Sequence, residues 1–202
     1  MKPLFIVVLL SFLIYLISKR LTHNSSTTNR PDQRFRHYTR LDNSAALLNK
    51  ATKSTIRTVG IGFLLLLSII VLGIKIKILW IALPLALYLI GQLFVYLDQL
   101  KYLKDQQIYY NKENAAVWVD YINKPALSFN MQQDLLKVSE IRAIQKNGDI
   151  LFGYYKLQLK TGEIIIISTM LAQSEGLNTQ QFFQTLQQAF NIPVEPRLFP
   201  IA

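Results

Sequence analysis

Two long apolar runs dominate the hydrophobic pattern in the middle of the chain. Residues 59–74 and 78–97 contain no charged side chain, and only Lys75-Ile76-Lys77 separates them. About 20 apolar residues of helix cross the roughly 30 Å hydrocarbon core of a bilayer. Lipid offers no hydrogen-bond partner to an open backbone, so helices are what these runs predict. The expectation is a tight transmembrane hairpin over residues 58–98. A third, shorter run covers residues 3–17 and is followed by Lys19-Arg20. Lys2 and the apolar stretch after it also fit a signal peptide. However, no small-x-small cleavage site follows, and the basic pair favours an uncleaved anchor over residues 1–18.

After residue 105 the period changes. Residues 108–110 and 115–121 read as strands around an Asn111–Asn114 turn. Leu127, Phe129 and Met131 alternate with Ser128 and Asn130. Residues 138–145 read as a strand, although Val138, Ile141 and Ile144 also fit a helical turn. Asn147-Gly148 and Thr161-Gly162 are turn signals, since these residues accept positive φ. Tyr155, Leu157 and Leu159 alternate with Lys156, Gln158 and Lys160, and residues 163–169 carry four successive isoleucines. A closing helix is expected from an Asn178 cap with Gln181 as capping-box partner. Phe182, Phe183, Leu186, Ala189 and Phe190 would form its apolar face, and Pro193 its stop.

The predicted fold class is therefore a membrane α-helical anchor of three transmembrane helices, two of them a tight hairpin, plus a soluble α+β domain. That domain would be an antiparallel bent sheet capped by a C-terminal helix. The expected organisation is an anchor over 1–18, a basic cytoplasmic loop over 19–57, the hairpin over 58–98, and the sheet domain over 105–195. Within the basic loop, residues 42–57 can form an amphipathic helix capped by Asp42 or Ser44, with Ala45, Leu48 and Ala51 on one face. Within the hairpin, Pro84 is expected to kink the second helix. Trp80 and Tyr96 are read as interfacial anchors, and Gln92 as a helix–helix hydrogen bond.

The segments Leu127-Ser128-Phe129, Val138-Ser139-Glu140-Ile141, 154–160 and 162–168, with the closing helix, together resemble the bacterial pleckstrin-homology-like (bPH-type) domains of small membrane proteins. There a transmembrane hairpin precedes a strand-rich domain closed by a helix. The resemblance implies a PH-like bent sheet used to bind proteins or membrane surfaces. It implies no catalytic motif.

Charge adds a topology. The formal net charge is +10, from 22 Lys and Arg against 12 Asp and Glu. Arg30, Arg34, Arg36, Arg40, Lys50, Lys53 and Arg57 crowd the stretch before the hairpin, opposed by Asp32 and Asp42. Lys and Arg accumulate on the cytoplasmic side. The N-terminus and the Lys75/Lys77 turn are then expected outside, and the loop and the sheet domain inside, at a bacterial inner membrane. The seven cations form a candidate patch for anionic lipid headgroups or an acidic protein partner. The pentad Arg34-Phe35-Arg36-His37-Tyr38 interleaves cations and aromatics as single-strand nucleic-acid binders do, but nucleic acid ranks behind the other two.

Candidate chemistry is sparse. There is no cysteine, which removes disulfides and thiol catalysis. His23 and His37 lack the neighbours of a zinc site, and no phosphate loop or nucleophile elbow is present. Glu140, Asp149, Glu163 and Glu175 sit beside turns or at strand ends. No ionisable residue lies within either span, which disfavours an ion pathway. No catalytic residue, metal site or cofactor is expected. The reading that follows is a non-catalytic accessory subunit of a membrane assembly. It is bound to the lipid bilayer and to a protein partner or a second copy of itself. The alternatives are a membrane enzyme or transporter component with a site assembled in space, and an anionic-lipid surface sensor.

Overall fold

The computed structural model describes residues 37–202, apart from 43 and 123. The expected anchor over 1–18 and the loop as far as Arg36 lie outside the described residues. Ser44 adopts an extended backbone and accepts a hydrogen bond from Leu47 N at 3.4 Å. Helix α1, Ala45–Leu72, starts there. No glycine, proline or turn cluster separates Arg57 from the first apolar run. The segment 45–57 is therefore not a separate helix lying on the leaflet. It forms the first turns of α1, which at 1.5 Å per residue reaches about 42 Å.

The chain reverses at Gly73, whose N–H bonds to Ile69 O at 2.8 Å. The indole Nε1 of Trp80 donates to Gly73 O at 3.2 Å, and a Cβ at Gly73 would lie 3.0 Å from that nitrogen. Trp80 thus closes the turn while remaining half exposed. A 3-10 turn, Lys77–Ala82, leads into helix α2, Leu83–Asp105. Pro84 lies in the first turn of α2, where a backbone N–H has no helical partner to lose. It starts a helix instead of kinking one. Gly62 lets the two helices approach, since a Cβ there would lie 2.8 Å from Leu89 Cβ. Two helical stretches, Ala45–Leu72 and Lys77–Asp105, are long and apolar enough to cross a membrane. Only 22% of the most apolar window of each is buried. A helix that is hydrophobic around its circumference in a soluble protein is covered by the core. These are not covered.

Helix α2 runs directly into β2, Gln106–Asn111, followed by β3, Ala116–Tyr121, and β4, Leu127–Asn130. With β1, Thr39–Arg40, they form one antiparallel sheet in the order β1-β2-β3-β4. The second sheet contains β5, Leu135–Ala143, β6, Gly153–Leu159, and β7, Ile164–Ser168. A short helix α3, Thr169–Ala172, and helix α4, Leu177–Ala189, follow. β8, Val194–Arg197, then returns to pair parallel with β5, giving the order β7-β6-β5-β8. Alternation puts Val117, Val119, Leu157, Ile165 and Ile167 between the sheets, where Phe182 and Leu186 of α4 meet them. The rings of Tyr110 and Phe182 pack edge to face at 5.4 Å, as do Phe182 and Phe183 at 5.0 Å.

The strands and turns follow the period-2 pattern closely, and Gly148 and Gly162 hold the positive φ their turns require. Three details differ from the sequence-based expectation. The helix cap is Gly176, one residue before the helix starts, and it makes no side-chain hydrogen bond; Asn178 lies inside the first turn. Ala189 is exposed, so the apolar face ends at Leu186 and the half-buried Phe190. Finally, the described residues form two four-stranded sheets, each with an edge strand that no pattern announced.

Candidate functional site

The Asn147-Gly148 turn between β5 and β6 does more than reverse the chain. Asn147 is buried, and its amide meets three hydroxyls of α1. Ser54 Oγ and Thr58 Oγ1 donate to Asn147 Oδ1 at 2.9 and 3.0 Å, and Asn147 Nδ2 donates to Thr55 Oγ1 at 3.1 Å. These hydroxyls sit at i, i+1 and i+4 on one side of the helix. Gly148 passes so close that a Cβ would stand 2.9 Å from Ser54 Oγ. Nearby, Lys50 Nζ lies 2.6 Å from Asp149 Oδ2. The lysine holds the Asp149 carboxyl below its ordinary range by a hydrogen bond and by charge. Both groups are exposed, so the pair adds little stability.

Helix α2 is tied to the same domain. Tyr96 is buried, hydrogen-bonds with the Thr52 hydroxyl, and packs its ring 6.1 Å from that of Phe152. It therefore joins helices and sheet, and does not act as an interfacial anchor. Ser168 Oγ donates to the fully buried Gln99 Oε1 at 2.6 Å, and Gln106 Nε2 donates to Ile166 O at 2.7 Å. Gln92 Nε2 has no hydrogen-bond partner among the described residues, so the helix–helix bond expected of it is not made by that atom.

Between α4 and the second sheet lies an open cleft of about 420 Å³. Glu140, Lys146, Tyr155, Gln173, Gln184 and Gln187 are among its lining residues. Burial pushes the Tyr155 hydroxyl up to about 12, the Glu140 carboxylate adds to the shift, and Gln187 opposes it. The phenol is thus a neutral hydrogen-bonding group at physiological pH. Gln173 braces the cleft wall: its Nε2 donates to Leu151 O at 2.7 Å and its Oε1 accepts from Leu151 N at 3.0 Å. Amides, a phenol, a lysine and carboxylates around an aromatic floor can hold a polar polypeptide segment. Among the described residues no group of three His, Asp or Glu side chains is placed to hold a metal ion.

The seven cations of the predicted patch have different fates. Arg30, Arg34 and Arg36 lie outside the described residues. Arg40 belongs to β1 and pairs with Asp42 at 3.0 Å, and Lys50 pairs with Asp149. Lys53 and Arg57 are exposed on α1 and meet no carboxylate among the described residues. Asn147 and Tyr155 are the site residues that pattern reading missed. The Asn-Gly dipeptide marked a turn, but nothing along the chain tells which helix that amide meets. Comparison with known proteins finds no family model, no curated protein and no solved structure that matches this chain.

Proposed function

We propose that this chain is a non-catalytic membrane protein whose sheet domain serves as an interaction subunit of a membrane assembly. The observation that carries the reading is the junction at Asn147. A domain that only had to stay near a membrane would need no more than a tether. Here one amide bonded to three hydroxyls of a membrane-length helix, reinforced by Tyr96 and Gln99, holds the α4 cleft at a set height and angle. Such rigidity serves recognition of a partner that is itself fixed in the bilayer. Two successive three-stranded meanders closed by a helix support the pleckstrin-homology-like assignment of the domain. The arginines before α1 support an inner-membrane placement with the domain in the cytoplasm. Lys53 and Arg57, beside the junction, remain available to an acidic partner or to anionic lipid.

Purification from native membranes in mild detergent tests the role. A stoichiometric partner should accompany the chain, and Gln184→Glu with Gln187→Glu should release it while leaving the fold intact. Recovery of the chain without any stoichiometric protein would overturn the reading. Topology is tested separately, because the chain has no cysteine. Single cysteines replacing Ser26, Lys75 and Asn178 are to be labelled in intact cells. Lys75→Cys should react from outside, and the other two only after permeabilisation. Labelling of Ser26→Cys and Asn178→Cys from opposite sides would remove the proposed placement.

A further inference from the structure

The residues after β8 turn back along α2. The ring of Phe199 lies over Gly91, where a Cβ would stand 2.5 Å from it, and its centroid is 5.6 Å from that of Tyr88. Three residues later, Ala202 N donates to Asp98 Oδ2 at 3.0 Å. The segment thus flanks α2 from the level of Tyr88 to that of Asp98, a stretch about 15 Å long. The β5–β6 loop reaches the same level: Tyr88 Oη donates to Gln145 Oε1 at 3.3 Å, and Ile144 N bonds to Arg197 O at 3.1 Å. The Tyr88–Leu97 part of this stretch belongs to the second apolar run.

Ile144, Leu198 and Ile201 are 63, 52 and 46% exposed at this level, and Phe94 of α2 is 56% exposed. Arg142 near the end of β5 and Arg197 at the end of the parallel strand β8 stand just before these two segments. Arg142 is 4.0 Å from Glu140 and Arg197 is 3.4 Å from Glu195, and both arginines remain well exposed. Apolar tips with long cations close behind them suit the boundary between acyl chains and headgroups. The cations reach the headgroups by extending their stems.

We infer that Ile144, Leu198 and Ile201 form a rim of the sheet domain that enters the leaflet beside α2, with Arg142 and Arg197 meeting anionic phospholipid headgroups. This rests on the reading of the hairpin as membrane-spanning. What selects lipid as the occupant is continuity: a bilayer that covers α2 between Tyr88 and Leu97 covers whatever is fixed beside it at the same depth. The rim then adds a further membrane contact for the domain and sets its tilt.

The full chain, reconstituted in vesicles, tests this with an environment-sensitive fluorophore on single cysteines at Ile144, Leu198, Phe94 or Gln184. Ile144→Cys and Leu198→Cys should give blue-shifted emission, quenched by spin-labelled lipid and protected from aqueous iodide. Gln184→Cys should behave in the opposite way. Phe94→Cys reports on the hairpin independently. Lipid quenching at Phe94 with iodide quenching at Ile144 and Leu198 would overturn the rim and leave the hairpin standing. Iodide quenching at Phe94 would overturn both. The blue shift at Leu198 should be larger in phosphatidylglycerol than in phosphatidylcholine vesicles, and equal shifts would refute the role given to the two arginines.

Discussion

Replacing Phe182 by alanine is expected to destabilise the sheet domain strongly while leaving the hairpin helical. The ring is fully buried and bridges Tyr110 of the first sheet and Phe183 of its own helix. It sits in the core where α4 meets residues of both sheets. Phe-to-Ala changes of this kind cost about 3–5 kcal/mol. For a domain of this size, that corresponds to a fall of more than about 10 °C in the melting temperature. Near-ultraviolet circular dichroism would follow the loss of aromatic packing, and far-ultraviolet signal at high temperature would retain the hairpin. Phe182→Leu should cost less, because it keeps most of the volume. Equal melting of wild type and Phe182→Ala would show that α4 is not what closes the core.

Alanine at Asn147 is expected to act differently. It removes three hydrogen bonds between the loop and α1 and leaves both sheets intact. At about 1 kcal/mol net for each bond, the docking of domain on helix weakens by about 3 kcal/mol. The Ser54 and Thr58 hydroxyls can turn back to helix carbonyls, which moderates the loss. Local opening should rise roughly a hundredfold, read as faster hydrogen exchange at amides 144–150. Amides of β6 and α4 should keep their protection. Unchanged exchange in the loop would mean that Asn147 is not what holds domain and hairpin together. Loss of protection throughout both sheets would assign it to the core instead.

The secondary structure was legible to the extent that periodicity encodes it. The runs of residues 59–74 and 78–97, the alternation from Tyr154 to Lys160 and the glycines at 148 and 162 each reflect a local constraint: an unbroken apolar helix, the pleat, or positive φ. Where the pattern failed, a distant partner had decided. All four residues of β8 are exposed and one of them is Pro196, so it has no strand signature of its own; β5 recruits it as an edge. The amphipathic stretch before Thr58 had the composition of a surface helix. Without a breaker, and with Asn147 to bond its hydroxyls, it continues into the apolar run as one helix.

The candidate site was less legible than the fold. Counting cations marked seven residues, yet Lys50 and Arg40 are each matched by a carboxylate, one of them 99 positions away. Gln92 and Tyr96 both looked like polar groups managing a helix in lipid. Tyr96 finds a partner hydroxyl, because Thr52 faces it across the hairpin, whereas Gln92 Nε2 finds no partner among the described residues.

By itself the sequence determined that two lipid-length helices precede a strand-rich domain closed by a helix, because hydrophobic period and turn chemistry act over a few residues. Tertiary structure alone decided that Asn147 bolts this domain to α1, that the α4 cleft forms, and that residues 198–202 lie against α2. Those outcomes depend on which side chains meet across long separations. The hydroxyls of Ser54, Thr55 and Thr58 carry no mark, at their own positions, of the amide that will reach them.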